Sequence, residues 1–97
     1  KLVVNALDNG KETVEEIRAL GGQAVLNTSL VEDHEAMREL VDQAVDAFGD
    51  LHSVVTNAGI SVFGRLGEMD IEDWDRQMDI NLSGTGYISH YAAKYWK

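Results

Sequence analysis

Leu51-His52-Ser53-Val54-Val55-Thr56-Asn57-Ala58-Gly59 is the stretch whose reading decides the fold. A short apolar run with two adjacent Val reads as a strand buried on both faces, as in a parallel sheet. It stops at Asn57-Ala58-Gly59. A polar, small, Gly-containing turn just beyond the carboxyl end of a strand is where an open α/β sheet places ligands. Asn57 and Gly59 can equally be plain turn residues. The flanking sequence has to decide between the two.

Working outward toward the N-terminus, the spacing predicts a helix from Asp33 to Gly49. Met37, Leu40, Val41, Ala44 and Phe48 repeat at helical intervals, with Glu39, Asp42 and Asp46 outside. Asp33 suits the N-cap and Gly49 the C-terminal stop. Before it, Gln23 to Asn27 holds Ala24, Val25 and Leu26, a second buried strand. Ahead of that, Asp8-Asn9-Gly10 is a break and a helix then runs to about Leu20, with Val14, Ile17 and Leu20 on one face and Gly21-Gly22 at its end. Asn9 and Glu12 stand at capping-box spacing before it. Lys1 to Asn5 opens as another short buried strand.

Toward the C-terminus, Ile60 to Met69 reads as a loop with Gly64 and Gly67. Asp70 then caps a long helix in which Ile71, Trp74, Met78, Leu82 and Ile88 lie broadly on one face. Met37 and Met78 read as core fillers. The order is strand, helix, strand, helix, strand, helix. Such alternation with short loops predicts a parallel sheet covered by helices, with right-handed crossovers.

Length and charge narrow the function classes. Ninety-seven residues make one small domain, residues 1–97. Eight basic against 17 acidic residues give a formal net charge of −9, which argues against nucleic acid or an anionic membrane as partner. No stretch approaches a membrane span and no signal-peptide pattern opens the chain, so a cytoplasmic location is the expectation. With no Cys there is no disulfide or thiolate metal site, and His34, His52 and His90 have no ligand spacing among them.

At this point the residues resemble the short-chain dehydrogenase/reductase family. Thr56-Asn57-Ala58-Gly59 looks like the family's Asn-Asn-Ala-Gly motif with Thr in first place. Phe48-Gly49-Asp50-Leu51-His52 looks like the turn leading into it. Gly21-Gly22-Gln23-Ala24-Val25 looks like a helix-to-strand junction of the family. Asp73-Trp74 followed by Asp79-Ile80-Asn81-Leu82-Ser83-Gly84-Thr85 looks like its long interface helix. The match covers nearly the whole chain in one register.

The resemblance implies an α/β, Rossmann-like three-layer arrangement of parallel sheet and helices. It is incomplete here: strands 2, 3 and 4 with their helices are present, and central strand 1 is missing. Family strand order 3-2-1-4 then leaves a slot between strands 2 and 4. Three situations would resolve it: the chain is a piece of a larger enzyme, a partner chain fills the slot, or the sheet is rearranged. The implied activity is hydride transfer between NAD or NADP and an alcohol or carbonyl substrate, of hydroxyacyl or hydroxysteroid type, by the complete enzyme. These 97 residues alone are expected to be inactive. The alternative is a non-catalytic truncated remnant that acts by self-association.

The resemblance also implies site residues. Asn81 is the helix Asn of the catalytic tetrad; in the family its main-chain carbonyl holds a water and its side chain bends the helix. Asn57, Ala58 and Gly59 would line the adenosine side of the cofactor. Leu30 and Val31 fall where the family carries an Asp-Val pair against the adenine. The family's acidic ribose contact aligns with Ala6; Asp8, two residues on, could replace it or act only as a turn or cap residue. No Arg is nearby, which leans the cofactor toward NAD. The family's glycine-rich phosphate turn, its catalytic Ser and its Tyr-x-x-x-Lys pair have no counterparts, and Tyr91-Ala92-Ala93-Lys94 is one residue short and on the wrong helix. Tyr91, Tyr95 and Trp96 suit a contact with a second copy, so a homo-oligomer through the 71–97 helix is expected.

Overall fold

The computed structural model describes residues 1–97. Two strands form, β1 (Leu2–Asn5) and β2 (Ala24–Asn27), and they pair in parallel with Leu2 opposite Ala24 and Asn5 opposite Asn27. The connecting helix α1 (Gly10–Ala19) packs against both strands. It ends in a Schellman motif: Gly21 sits at φ 89°, its N–H donates to the Arg18 carbonyl, and the Gly22 N–H donates back to the Ile17 carbonyl. Helix α2 (His34–Phe48) starts where Asp33 Oδ1 accepts from the Ala36 N–H at 3.2 Å and stops at Gly49, φ 85°. These elements form where the periodicity places them, to within a residue or two.

Two local expectations are corrected. Asn9 lies before α1 and its carbonyl accepts the first helical bond, from the Thr13 N–H, but it makes no side-chain cap because its backbone is left-handed, φ 60°, and not the extended form a capping side chain usually needs. Asp70 precedes the next helix, also without a side-chain cap. That helix is continuous but not uniform. It begins as α3 (Ile71–Gln77), passes through a π-helical segment (Met78–Ser83) and continues as α4 (Gly84–Trp96). The wider turn rotates everything after it. Ile88 is therefore buried, whereas Ile71, Trp74, Met78 and Leu82 remain exposed. Met78 is not a core filler; Met37, with no exposed surface, is.

The expected third strand is the main departure. Leu51–Thr56 makes no backbone ladder with any other segment, and the sheet has two strands only. A strand exists through a neighbour's N–H and C=O groups. Neither β1's outer edge nor Leu51–Thr56 has one. Between them runs a cleft of about 670 Å³, lined by Lys1–Val3, Asn5 and Ala6 on one side and Asp50–Ala58 on the other. Its lining also includes Met37, Val41 and Ala44 of α2, Ile80 of the π segment, and Gly84 and Ile88 of α4, but no residue of α1.

The core is correspondingly small. Met37, Val41 and Ile88 form its centre, joined by Val31, Leu40, Leu51, Val54, Tyr87 and Tyr91. Only nine residues are buried. The radius of gyration, 15.2 Å, exceeds the ~13 Å of a compact chain of this length. The molecule is an open slab held by α2 on α4, with the two-stranded sheet on one border of the cleft.

Candidate cofactor rim

Three segments beyond the ends of β1, β2 and Leu51–Thr56 contribute to the lining of the cleft. The first is the end of β1. Asn5 and Ala6 line the cleft, and the Ala6 N–H still donates to the Asn27 carbonyl at 3.0 Å, one residue past the strand. Asp8 is exposed in the bend that follows. It caps nothing, which leaves its carboxylate free on the surface.

The second segment is the loop after β2. Leu30 is about half exposed. Val31 faces the cleft and packs on α4: a Cβ added at Gly84 would lie 2.8 Å from Val31 Cγ2. Small size at Gly84 is what lets this loop approach the helix. Leu30 and Val31 therefore have different surroundings, one open to solvent and one seated between helix and cleft.

The third segment is Thr56–Ile60. Asn57 and Ala58 line the cleft and are exposed along it. Gly59 lies against Asn81, whose Oδ1 would be 3.1 Å from an added Cβ. Asn81 is in the middle of the π segment. Its amide makes a paired contact with the backbone of one residue: the Ile60 N–H donates to Asn81 Oδ1 at 2.8 Å, and Asn81 Nδ2 donates to the Ile60 carbonyl at 2.8 Å. One turn earlier, Gln77 Oε1 accepts from the Val62 N–H at 3.2 Å. Two helical side chains four apart thus hold two backbone positions two apart on the facing loop. Asn81's own carbonyl accepts from Thr85 Oγ1 at 3.2 Å.

Sequence reasoning passed over a fourth group. Both strands end on Asn, and these two side chains interlock. Asn5 Nδ2 donates to Asn27 Oδ1 at 2.7 Å and to the Ser29 carbonyl at 3.0 Å. Asn27 Oδ1 also accepts from the Ser29 N–H at 2.9 Å. Asn27 Nδ2 donates to Gln43 Oε1 at 2.8 Å, and Gln43 Nε2 reaches back to the Leu26 carbonyl at 3.2 Å. The repeated pattern Leu-Val-Val-Asn and Ala-Val-Leu-Asn was the available signal.

The C-terminal aromatic residues turn to their own chain. Tyr95 donates its hydroxyl to Asp50 Oδ1 at 2.7 Å, and the Trp96 indole N–H donates to the Leu51 carbonyl. Tyr91's hydroxyl lies 3.3 Å from His34 Nδ1. The Tyr95 hydroxyl and then the Leu51 N–H hold the Asp50 carboxyl below its ordinary range, with His52 adding a smaller effect. The Tyr95 phenol is raised in turn, first by its bond to Asp50. No three His, Asp or Glu side chains come together as a metal site, and no helix is long and apolar enough to cross a membrane.

Comparison with known proteins decides the family. A family model described as short chain dehydrogenase matches residues 1–97. The chain belongs to the short-chain dehydrogenase family. Among similar proteins, a cyclohexanol dehydrogenase of an Acinetobacter species is 40% identical over 86 residues, covering 88% of this chain and 34% of that protein. An oxidoreductase of Thermotoga maritima is 36% identical over 100 residues, all of this chain and 39% of the other. A short chain dehydrogenase from Mycobacterium avium superposes with a TM-score of 0.95 at 30% identity, over 99% of this chain and 37% of its own. One from Burkholderia cenocepacia, solved in complex with NADP, superposes with a TM-score of 0.88 at 29% identity over 96% of this chain and 39% of its own. The chain thus spans about 39% of the length of such dehydrogenases, or somewhat less. Its two parallel strands and their helices match part of the family's Rossmann fold.

Proposed function

We propose that this chain is the adenosine-binding part of an NAD(P)-dependent oxidoreductase that transfers hydride between the nicotinamide and an alcohol or carbonyl substrate. The observation that carries this reading is that Asn5 and Ala6, at the carboxyl end of β1, line a single cleft together with Val31 and Asn57–Ala58. Dinucleotides bind in open α/β sheets at that end, beyond the carboxyl termini of the strands. In this reading β1, β2 and Leu51–Thr56 are family strands 2, 3 and 4, and the cleft is the place of strand 1. The related Burkholderia enzyme was solved with NADP, which supports a nicotinamide dinucleotide as the cofactor class.

The residues present fit an adenosine moiety. Asn57, Ala58 and Gly59 bring small groups to the rim, and Leu30 offers exposed apolar surface for the adenine. The exposed Asp8 carboxylate can accept from a ribose 2′-hydroxyl and repels a 2′-phosphate. Arg18 is the one Arg on α1, and it is spent on the Ala24 carbonyl at 2.8 Å. This favours NAD over NADP. The cofactor would supply the hydride acceptor or donor. What this chain contributes is shape and a fixed loop: Asn81 anchors Ile60, so the turn ahead of it keeps its place beside the cofactor. Exposed Ile71, Trp74, Met78 and Leu82 favour pairing of this helix with a second copy.

Fluorescence titration of the full-length protein with NADH and with NADPH tests the reading. Saturable binding, tighter for NADH, is expected. Failure of the full-length protein to bind either one would favour the alternative, a non-catalytic remnant.

A further inference from the structure

We infer that Asn5, Asn27 and Gln43 form an amide ladder whose task is to position the cofactor-facing loop Thr28–Val31. The inference rests on the cofactor reading above and goes beyond it, because none of these side chains is needed to close the sheet. The backbone ladder between β1 and β2 is complete without them: it runs from the Leu2 N–H on the Gln23 carbonyl to the Ala6 N–H on the Asn27 carbonyl. The amides begin where it stops.

Their geometry is directed at one residue. Ser29 has its N–H taken by Asn27 Oδ1 and its carbonyl taken by Asn5 Nδ2, at 2.9 and 3.0 Å. Both backbone polar groups of one loop residue are therefore held by the last side chains of two different strands. Asn27 cannot swing away, because its Nδ2 is fixed on Gln43, and Gln43 is fixed on the Leu26 carbonyl. A second clamp follows two residues later, where Val31 seats against Gly84. Leu30 lies between the two clamps and is the residue left open to solvent. A loop fixed on both sides of one exposed apolar residue presents that residue in a single place. Preorganisation of this kind raises affinity by removing the ordering cost from the binding step.

Asn5, Asn27 and Gln43 are positioning residues: they act through the loop and touch no reacting atom. The test uses the full-length protein, with ADP-ribose as the probe, since it carries the adenosine and lacks the nicotinamide. Asn27→Leu removes the one oxygen that accepts from both the Ser29 N–H and Asn5 Nδ2, and should weaken ADP-ribose by on the order of tenfold, the usual effect of losing such bonds. KM for the dinucleotide should rise by a similar factor with kcat unchanged. Gln43→Leu frees Asn27 but leaves its bonds to Asn5 and Ser29, so it should weaken ADP-ribose by only roughly two- to threefold. It also supplies the readout should Asn27→Leu not fold.

Wild-type protein that fails to bind ADP-ribose overturns the cofactor reading and this inference with it. Wild-type binding with unchanged ADP-ribose affinity in both variants overturns the ladder and leaves the cofactor reading standing. A fall in kcat with KM unchanged also overturns the ladder, because a positioning loop at the adenosine end should not slow the chemical step.

Discussion

The α2–α4 contact and the gap between β1 and Leu51–Thr56 border the same cleft, yet one is complete and the other open. Both are rich in apolar residues. They differ in where the backbone finds its hydrogen bonds. A helix satisfies nearly all its peptide groups within its own turns, so α2 and α4 need only side-chain contact, which Met37, Val41 and Ile88 supply. A strand must borrow its bonds from a neighbour. Leu51–Thr56 has the composition of a buried strand and no neighbour to make it one.

The contrast can be broken hardest at its closed side. Met37 is fully buried at the centre of the α2–α4 contact. Met37→Ala should cost about 2–5 kcal/mol in the full-length protein by urea denaturation. A cost under 1 kcal/mol would mean that the helices are not held by this core. Gly84→Ala comes next, since its new methyl meets a stiff β-branched neighbour at 2.8 Å. Crowding of about 1–3 kcal/mol should outweigh the roughly 1 kcal/mol that Ala gains over Gly in a helix. Combining it with Val31→Ala should recover most of the loss, and strict additivity would contradict the contact.

Asn81→Ala sharpens the comparison at the seam between helix and rim. It leaves the Ile60 peptide exposed to water on this side, so about 1 kcal/mol of stability should go. The Ile60 amide should then exchange faster with solvent while those of α2 do not. The smallest effect is expected at Tyr95. Asp50's carboxyl is held low by Tyr95, so its contribution is complete above the ordinary carboxylate range and is lost as pH falls through the depressed value. Tyr95, held high, loses its part only as pH rises above the ordinary tyrosine range. Tyr95→Phe should move the Asp50 titration upward in a carbon-detected NMR experiment; an unmoved Asp50 would show that the bond does not persist in solution.

The legible parts of the fold are those settled within a few residues. Gly21-Gly22 and Gly49 stop their helices, Asp33 starts one, and the apolar spacing of Met37 to Phe48 places its face inward. What escaped depends on distant residues. The π segment is where Asn81 reaches a peptide 21 residues away. Nothing in Met78–Ser83 alone demands a wider turn, and the wider turn breaks the single helical period that would have set Met78 and Ile88 on one face. Asn9 stands at capping spacing but does not cap with its side chain, because its backbone is left-handed where a capping residue is usually extended. Motif and register single out Asn57, Ala58 and Val31, and these line the cleft; their role toward a cofactor is the proposal made above. The amide ladder was not legible, because a strand-end Asn shows its role only once its cross-strand partner is known.

The account's central claim is that Leu51–Thr56 is a strand lacking its partner in these 97 residues. Amide hydrogen exchange of this segment, in the 97-residue chain and in the full-length protein, tests it most directly. The account predicts slow exchange for the α2 amides around Met37 in both. It predicts rapid exchange for Val54–Thr56 in the 97-residue chain and slow exchange in the full-length protein. Equal protection of Val54–Thr56 in the two forms would contradict it.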